Sequence, residues 1–380
     1  MFSVYQPWDP LKVCAVGRSY PPEFYTWIKI PKVRTLFEQI AIETEEDYQA
    51  IIKKLQEFGV KTVRSNPVPL ADQCPQKFLA PPMNPRDCMV MIGNVFYTHV
   101  KTWHEFYQKV KDKSWPAAES INDLEEALKK ECMQAGWQQQ MHYSDPWKPI
   151  VDLVRDNNNP IRICDTDSYV NGASVSRIGR DLYFSIYNKE VDYKPYLKQE
   201  FSNYRSHVIH TLGHGDGTYC PVCPGLIISL KDIETYKDTF PGWEVIYLPD
   251  QSWNAVRPFL DLKRHTGGKW WIPGWEYDND VVDVVETWMS TWVGYVEETV
   301  FDVNMLVIDP KNILVFSENK KVFDALDRYG ITPHVVPFRH RYFWDGGIHC
   351  VTVDLDREGS MQDYFPDRSF NDFNVKSVRV

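Results

Sequence analysis

The chain has 380 residues, 43% of them hydrophobic, and its 42 Lys and Arg against 52 Asp and Glu leave a net charge of −10. This apolar content is enough for a large core, which excludes an intrinsically disordered chain. The negative charge argues against a general nucleic-acid binder, because the phosphate backbone rewards clustered basic residues. No run of about 18 apolar residues is present, so we expect no membrane span.

Cysteine content and the first residues bear on the compartment. Eight cysteines are too few for a disulfide scaffold. The opening MFSVYQPWDPLKV lacks the basic start and apolar run of a signal peptide. We therefore expect a cytoplasmic protein. Because no linker or low-complexity segment stands out, we also expect a single domain over residues 1–380.

Short strands and helices alternate along the chain. Residues 13–17 form an apolar run ending at glycine, which predicts a strand. Residues 44–58 predict a helix with Thr44 as its N-cap, since apolar residues recur at helical spacing and Gly59 follows as a stop. Residues 60–63 predict the next strand. Further strands are predicted at residues 89–92, 182–186, 226–228 and 245–248.

The clearest supersecondary pattern lies near the end of the chain. Strands at 305–308 and 313–316, a helix at 320–329 and a strand at 334–336 predict a ββαβ unit. The strand, helix and strand of residues 13–63 resemble a second unit. Repeated units of this kind could close around a central axis, with site residues at the strand ends.

The segment Gly346-Gly347-Ile348-His349-Cys350 is the first candidate for chemistry. A loop cysteine beside a base is a plausible nucleophile, because the thiolate is the reactive form. The alternative is a structural cysteine beside a turn. On a strand, His349 would point to the face opposite Cys350, so we expect the base to come from elsewhere.

The segment His214-Gly215-Asp216 is the second candidate. In an extended segment both side chains share a face, which suits proton transfer beside a cationic substrate. The alternatives are a polar turn or a metal pair, and no convincing third metal ligand lies nearby. Cys220 and Cys223 form a CxxC that leads into a strand without a second pair, so we interpret them as structural.

Carboxylates also precede predicted strands. Asp87 follows Pro85 and Arg86, and Asp165 and Asp167 lie just before Asn171. Such groups could bind a cation, and a guanidinium would be held through paired hydrogen bonds. Taken singly, each is better explained as a turn or cap residue.

Taken together and in order, these segments resemble the amidinotransferase family, typified by arginine:glycine amidinotransferase. The matching stretches are VYQPWDPLKVCAVGR from Val4, MNPRD from Met83, HGDGTYCPVCPGLIIS from His214, FDVNMLVIDPKNILV from Phe301 and WDGGIHCVTVDLDREGSMQDYF from Trp344. The resemblance covers nearly the whole chain.

The resemblance implies an α/β fold, namely the five-bladed α/β propeller of the pentein superfamily, built from ββαβ modules with pseudo-fivefold symmetry. It implies transfer of an amidino group from L-arginine to an amine such as glycine, giving ornithine and guanidinoacetate through ping-pong kinetics. It implies small-molecule substrates, no cofactor, no metal and a possible homodimer.

The resemblance also implies roles for particular residues. Cys350 matches the nucleophile and His214 the general acid and base. Asp87 and Asp216 match carboxylates that grip the guanidinium. The remaining residues of the predicted substrate-binding set are Arg86, Asn171 and Asn304.

Two positions depart from the family pattern. Asn171 stands where the family has an acidic residue, so the shape is kept but the charge is lost; Asp165 and Asp167 are the candidates to supply that charge. Ile233 stands where the glycine enzyme has an arginine for the donor's carboxylate, and Lys231 is the candidate to replace that arginine. A guanidine-modifying hydrolase with the same covalent intermediate and a non-catalytic binding homologue therefore stay open as alternatives.

Overall fold

The computed structural model describes residues 1–67, 81–99, 146–164, 169–187, 189–211, 213–233, 236–248, 270–275, 277–289, 302–344, 346–369 and 375–377. Within these ranges the fold is mixed α/β, with five small sheets. The strands are β1 (Leu11–Val16), β2 (Lys61–Arg64), β3 (Met89–Ile92), β4 (Val95–Thr98), β5 (Ile161–Ile163), β6 (Val175–Ile178), β7 (Asp181–Ser185), β8 (Arg205–His210), β9 (Tyr219–Cys223), β10 (Leu226–Ser229), β11 (Glu244–Tyr247), β12 (Leu306–Asp309), β13 (Asn312–Val315), β14 (Thr332–Val335), β15 (Thr352–Arg357) and β16 (Val375–Ser377).

Helices connect these strands or pack beside them. They are α1 (Pro31–Glu57), α2 (Lys148–Asp156), α3 (Lys194–Glu200), α4 (Tyr236–Thr239), α5 (Asn279–Val284), α6 (Lys320–Arg328) and α7 (Arg341–Trp344). None of the helices in the described ranges combines the length and hydropathy that a membrane span needs.

The five sheets share one pattern. In each, a first strand pairs antiparallel with a second, and the second pairs parallel with a third. A helix lies between the second and third strands in the chain, as a parallel pair requires a crossover connection. The strand orders are β3-β4-β5, β6-β7-β8 with β16 added at the edge, β9-β10-β11, β12-β13-β14 and β15-β1-β2.

The predicted ββαβ unit near the end of the chain is confirmed as β12, β13, α6 and β14. The strand–helix–strand of the first residues is confirmed as β1, α1 and β2. Its sheet is completed by β15, which pairs antiparallel with β1. Distant parts of the chain therefore close one sheet together.

The predicted start of the first helix is wrong. α1 begins at Pro31, thirteen residues before Thr44, because proline is favoured in the first turn, where its missing N–H costs nothing. Thr44 is not a cap: it is buried inside the helix and its Oγ1 donates to the Ile40 carbonyl at 2.6 Å. The predicted stop is confirmed, since Gly59 takes a positive φ of 74°.

The largest apolar cluster packs α1 against its own sheet and the chain around it. Phe37, Tyr48 and Ile51 on α1 are fully buried in this cluster. Burial of each such side chain contributes about 1.5–3 kcal/mol. Cys220 and Cys223 are buried and free on β9, where they pack in an apolar cluster, and the structural interpretation of the CxxC stays a prediction.

Asp354 on β15 is the centre of a buried ion cluster. Its carboxylate accepts hydrogen bonds from Arg86 at 2.8 Å, from Arg177 at 2.8 and 2.9 Å and from Arg357 at 2.7 Å. Burial alone would raise the pKa of Asp354, but the three guanidinium charges hold it well below its usual range. Arg357 also donates to the Val307 carbonyl on β12, so the cluster ties several sheets together.

We expect Asp354→Asn to lower the free energy of unfolding by about 3–5 kcal/mol, because it leaves three buried cations without their counter-charge. Thermal or urea unfolding measures this loss. The matched control is Asp324→Asn, which breaks an exposed pair with Lys320 and should cost about 0.3–0.5 kcal/mol. Equal losses in the two variants would contradict the role assigned to the cluster.

Candidate active site

Five turns, one from each sheet, supply the side chains of the candidate site. Each turn lies just before the first strand of its sheet, namely β3, β6, β9, β12 and β15. The residues that these turns contribute are Asp87, Asn171, Asp216, Asn304 and Cys350.

Hydrogen bonds link these turns in a closed ring. Every turn is bonded to the turn before it and the turn after it in chain order, and the last is bonded to the first. The bonds are Gly172 N to Arg86 O at 2.9 Å, Asp216 N to Ala173 O at 3.1 Å, Asn304 Nδ2 to Asp216 O at 3.4 Å, His349 N to Asn304 Oδ1 at 2.8 Å and Arg86 N to Cys350 O at 3.4 Å.

Cys350 is 7% exposed and is hydrogen-bonded on two sides. Its Sγ accepts a hydrogen bond from Asn304 Nδ2 at 3.0 Å, and its thiol donates to Asp216 Oδ2 at 3.4 Å. Burial raises the pKa of the Cys350 thiol well above its ordinary value, and the negative charges of Asp216 and Asp87 raise it further. The resting sulfur is therefore a protonated thiol.

Asn304 shapes the loop that carries Cys350. Its Oδ1 accepts the backbone N–H groups of His349 at 2.8 Å and Cys350 at 3.1 Å. Gly347 is required beside it, because a Cβ there would overlap the Asn304 side chain. Asn304 was predicted to contact substrate; the structure places its side chain against Cys350 and the backbone of the Cys350 loop.

Asp216 lies in a short 3₁₀ turn, Gly215–Gly217, so the extended segment predicted there is wrong. His349 Nδ1 lies 2.9 Å from Asp216 Oδ2, the same oxygen that the Cys350 thiol contacts. Burial alone would raise the pKa of Asp216, but the hydrogen bond from His349 and nearby positive charges lower it. Among the described residues the other oxygen, Oδ1, is buried without a hydrogen-bond partner.

His349 is the site residue that the sequence analysis missed. It does not lie on a strand but in the turn before β15, so the alternation of faces assumed for it does not apply. Burial and the charge of Arg86 lower the pKa of His349 to about 4. The imidazole is therefore neutral at neutral pH and donates its Nδ1 proton to Asp216.

Asp87 and His214 form the other side of the site. His214 Nδ1 lies 3.8 Å from Asp87 Oδ1, which is within reach of an ion pair. Burial raises the pKa of Asp87 to about 6, with Asp216 adding to the effect and the charges of His214 and Arg86 opposing it. Within the described part of the chain, Asp87 Oδ1 is a buried atom that has no hydrogen-bond partner.

The structure also gives the surroundings of three further residues that the sequence singled out. Arg86 is fully buried, and its guanidinium donates to Asp354 and to the His349 and Thr352 carbonyls. Asn171 Oδ1 accepts the Ser174 N–H at 2.9 Å and so stabilises its own turn. Ile233 is fully buried in an apolar cluster, whereas Asp165 and Asp167 lie outside the described residues.

The arrangement suits a planar cation. Two carboxylates each have a buried oxygen that accepts no hydrogen bond from the described residues; a thiol lies against Asp216, and an imidazole lies beside Asp87. Paired charge-assisted hydrogen bonds of this kind match the geometry of a guanidinium. Over the described ranges, no group of three or more His, Cys, Asp or Glu is placed to hold a metal ion.

Several known proteins of similar sequence are amidinotransferases. The chain is 22% identical over 395 residues to inosamine-phosphate amidinotransferase 1 of Streptomyces glaucescens, covering 96% of this chain and 99% of that one. It is 22% identical over 413 residues to the mitochondrial glycine amidinotransferase of Xenopus tropicalis, covering 95% and 84%. It is 22% identical over 230 residues to the L-arginine:L-lysine amidinotransferase of Pseudomonas savastanoi pv. phaseolicola, covering 58% and 53%. No family model matches the chain.

Two solved structures share the fold. An amidinotransferase of the saxitoxin biosynthetic pathway from Microseira wollei superimposes with a TM-score of 0.59 at 17% identity. The inosamine-phosphate amidinotransferase of Streptomyces griseus superimposes with a TM-score of 0.55 at 20% identity. Each comparison covers 96% of this chain and 99% of the other.

Proposed function

Since its resemblance to the amidinotransferases is confirmed by these relatives, we propose that this protein transfers an amidino group from a guanidino donor, such as L-arginine, to an amine. The observation that carries the proposal is the convergence of Cys350, Asp216, Asp87 and His214 in one ring of turns. Cys350 would be the nucleophile and His214 the general acid and base. Asp87 and Asp216 would hold the guanidinium.

We also infer that the five sheets are the blades of one α/β propeller. Each sheet repeats the same strand pairing, and the five turns before their first strands are hydrogen-bonded in a closed ring. The ring takes groups from residue 86 to residue 350, which favours a single domain. The sheet formed by β15, β1 and β2 would join the two ends of the chain.

Binding of the donor would activate the thiol. A guanidinium between Asp87 and Asp216 offsets the two negative charges that help to raise the pKa of Cys350. The thiol proton then leaves more readily, and the sulfur attacks the central carbon of the guanidinium. The hydrogen bond from Asn304 Nδ2 stabilises the developing thiolate.

His214 would carry the transferred proton in both half-reactions. As the S–C bond forms, His214 would take the thiol proton and give it to the leaving amine while the C–N bond breaks. An acceptor amine would then lose a proton to His214 and take the amidino group from Cys350, whose sulfur would recover that proton from His214 as the S–C bond breaks. General acid–base catalysis of this kind contributes typically about 10²–10⁴-fold to the rate.

The acceptor is left open by the proposal. The relatives are named for glycine, inosamine-phosphate and lysine as well as for arginine. Buried Ile233 presents no charge to a substrate carboxylate, so glycine is one acceptor to test among several. Arg86, held in the buried ion cluster, would position the Cys350 loop rather than contact substrate.

The proposal is tested by intact-protein mass spectrometry after incubation with arginine and no acceptor. We expect a gain of about 42 Da that maps to Cys350 and disappears when amines are added, with ornithine released. Citrulline or urea formed without an amine would indicate the hydrolase instead. No adduct with any guanidino compound, while iodoacetamide still labels Cys350, would support the binding homologue and overturn the proposal.

A further inference from the structure

The backbone of His349 is held on both sides. Its backbone N–H donates to Asn304 Oδ1 at 2.8 Å, and its backbone carbonyl accepts from Arg86 Nε at 3.0 Å. Arg86 is in turn fixed by Asp354 in the buried ion cluster. The imidazole therefore extends from a backbone that the surrounding sheets hold in place, and it ends on Asp216 Oδ2 at 2.9 Å.

The contact with His349 gives the two carboxylate oxygens of Asp216 different surroundings. The torsion that orients an aspartate carboxylate has a broad and roughly two-fold distribution. The orientation of the carboxylate therefore depends on its hydrogen bonds. Oδ2 receives both the His349 imidazole and the Cys350 thiol. Oδ1 is buried and, within the described ranges, receives nothing. A buried carboxylate oxygen without a donor is costly, unless a ligand supplies the donor.

We propose that His349 is a positioning residue that holds the Asp216 carboxylate so that Oδ1 accepts a guanidinium N–H from the donor substrate. The inference rests on the proposed function, because it takes the hydrogen-bond donor to Oδ1 to be a guanidinium. It goes beyond it by giving a role to a residue that the proposed mechanism does not use.

A neutral imidazole suits this role better than a cation would. A lysine or arginine on Oδ2 would cancel the charge that attracts the guanidinium. His349 is neutral at neutral pH, as its pKa is lowered to about 4, so it orients Asp216 and leaves its negative charge in place. The other titratable and charged groups facing Asp216 are Cys350, Cys220, His214, Arg86 and Asp87.

Three variants of one residue test the assignment. His349→Asn places an amide N–H near the position of Nδ1, His349→Gln places it near Nε2, and His349→Leu removes it. We expect KM for the donor to rise roughly tenfold or more in the Gln and Leu variants, and to stay within about threefold of wild type in the Asn variant. If His349 had only a structural role, KM for the donor would change in step with thermal stability, and the Asn and Gln variants would have similar KM values.

Crystal structures of the Asn and Leu variants give a readout that needs no substrate. We expect the Asp216 carboxylate to keep its orientation in His349→Asn and to rotate in His349→Leu. A wild-type protein that forms no adduct would overturn the proposed function, while these structures would still decide the positioning role. An unmoved carboxylate together with a wild-type KM in His349→Leu would overturn the inference.

Discussion

Replacement of Cys350 by alanine is expected to lower amidino transfer by roughly 10⁴-fold or more and to abolish the 42-Da adduct. The sulfur is the group in the ring of turns that can form the covalent intermediate, and alanine leaves nothing to accept the amidino group. Loss of the adduct is measured by mass spectrometry, and turnover by release of the amine product. Substantial transfer in the variant would refute the nucleophile assignment.

A second buried cysteine provides the matched control. Cys220 lies on β9, and burial raises the pKa of its thiol to about 12, so it is unreactive at neutral pH. Cys220→Ala removes the same sulfur atom from a neighbouring part of the core. We expect it to keep both the adduct and most of the turnover, with only a modest loss of stability from the small cavity.

The residues of the candidate site could be predicted from the sequence, because the resemblance matches its motifs in order. Cys350, His214, Asp87 and Asp216 were predicted together, and the structure brings them together at three of the five turns. The ββαβ pattern was also visible locally, since strand and helix periods differ. The pairing of β15 with β1 was not, because contacts between the two ends of a chain leave no local signal.

The contacts within the site depended on backbone geometry that residue spacing does not reveal. The alternation of faces holds only on a strand, and both His214–Asp216 and His349–Cys350 lie in turns. That is why the shared oxygen of Asp216 could not be predicted. The ion pair of Arg86 could not be predicted for a different reason: its partner Asp354 is 268 positions away in the chain.

Replacement of Asp216 by asparagine is expected to change two rates in opposite directions. The reaction with the guanidino donor should fall by roughly 10²–10³-fold in kcat/KM, because a buried charge that pairs with the guanidinium is lost. Alkylation of Cys350 by uncharged iodoacetamide should become faster at pH 8, since the Asp216 charge raises the pKa of the thiol. The increase is partial because burial, the larger cause, persists.

A slower donor reaction together with a faster alkylation distinguishes loss of the Asp216 charge from damage to the fold. A variant that had merely loosened the turn would lose donor reactivity and give faster alkylation only in proportion to unfolding, which thermal melting detects. The control Asp324→Asn removes an equal charge from the exposed surface of α6 and should change neither rate. If alkylation slowed together with the donor reaction in Asp216→Asn, then Asp216 would act as the proton acceptor that activates Cys350. Proton transfer from Cys350 to Asp216 would then be the first step of the reaction, and the Asp216 charge would promote thiolate formation instead of opposing it.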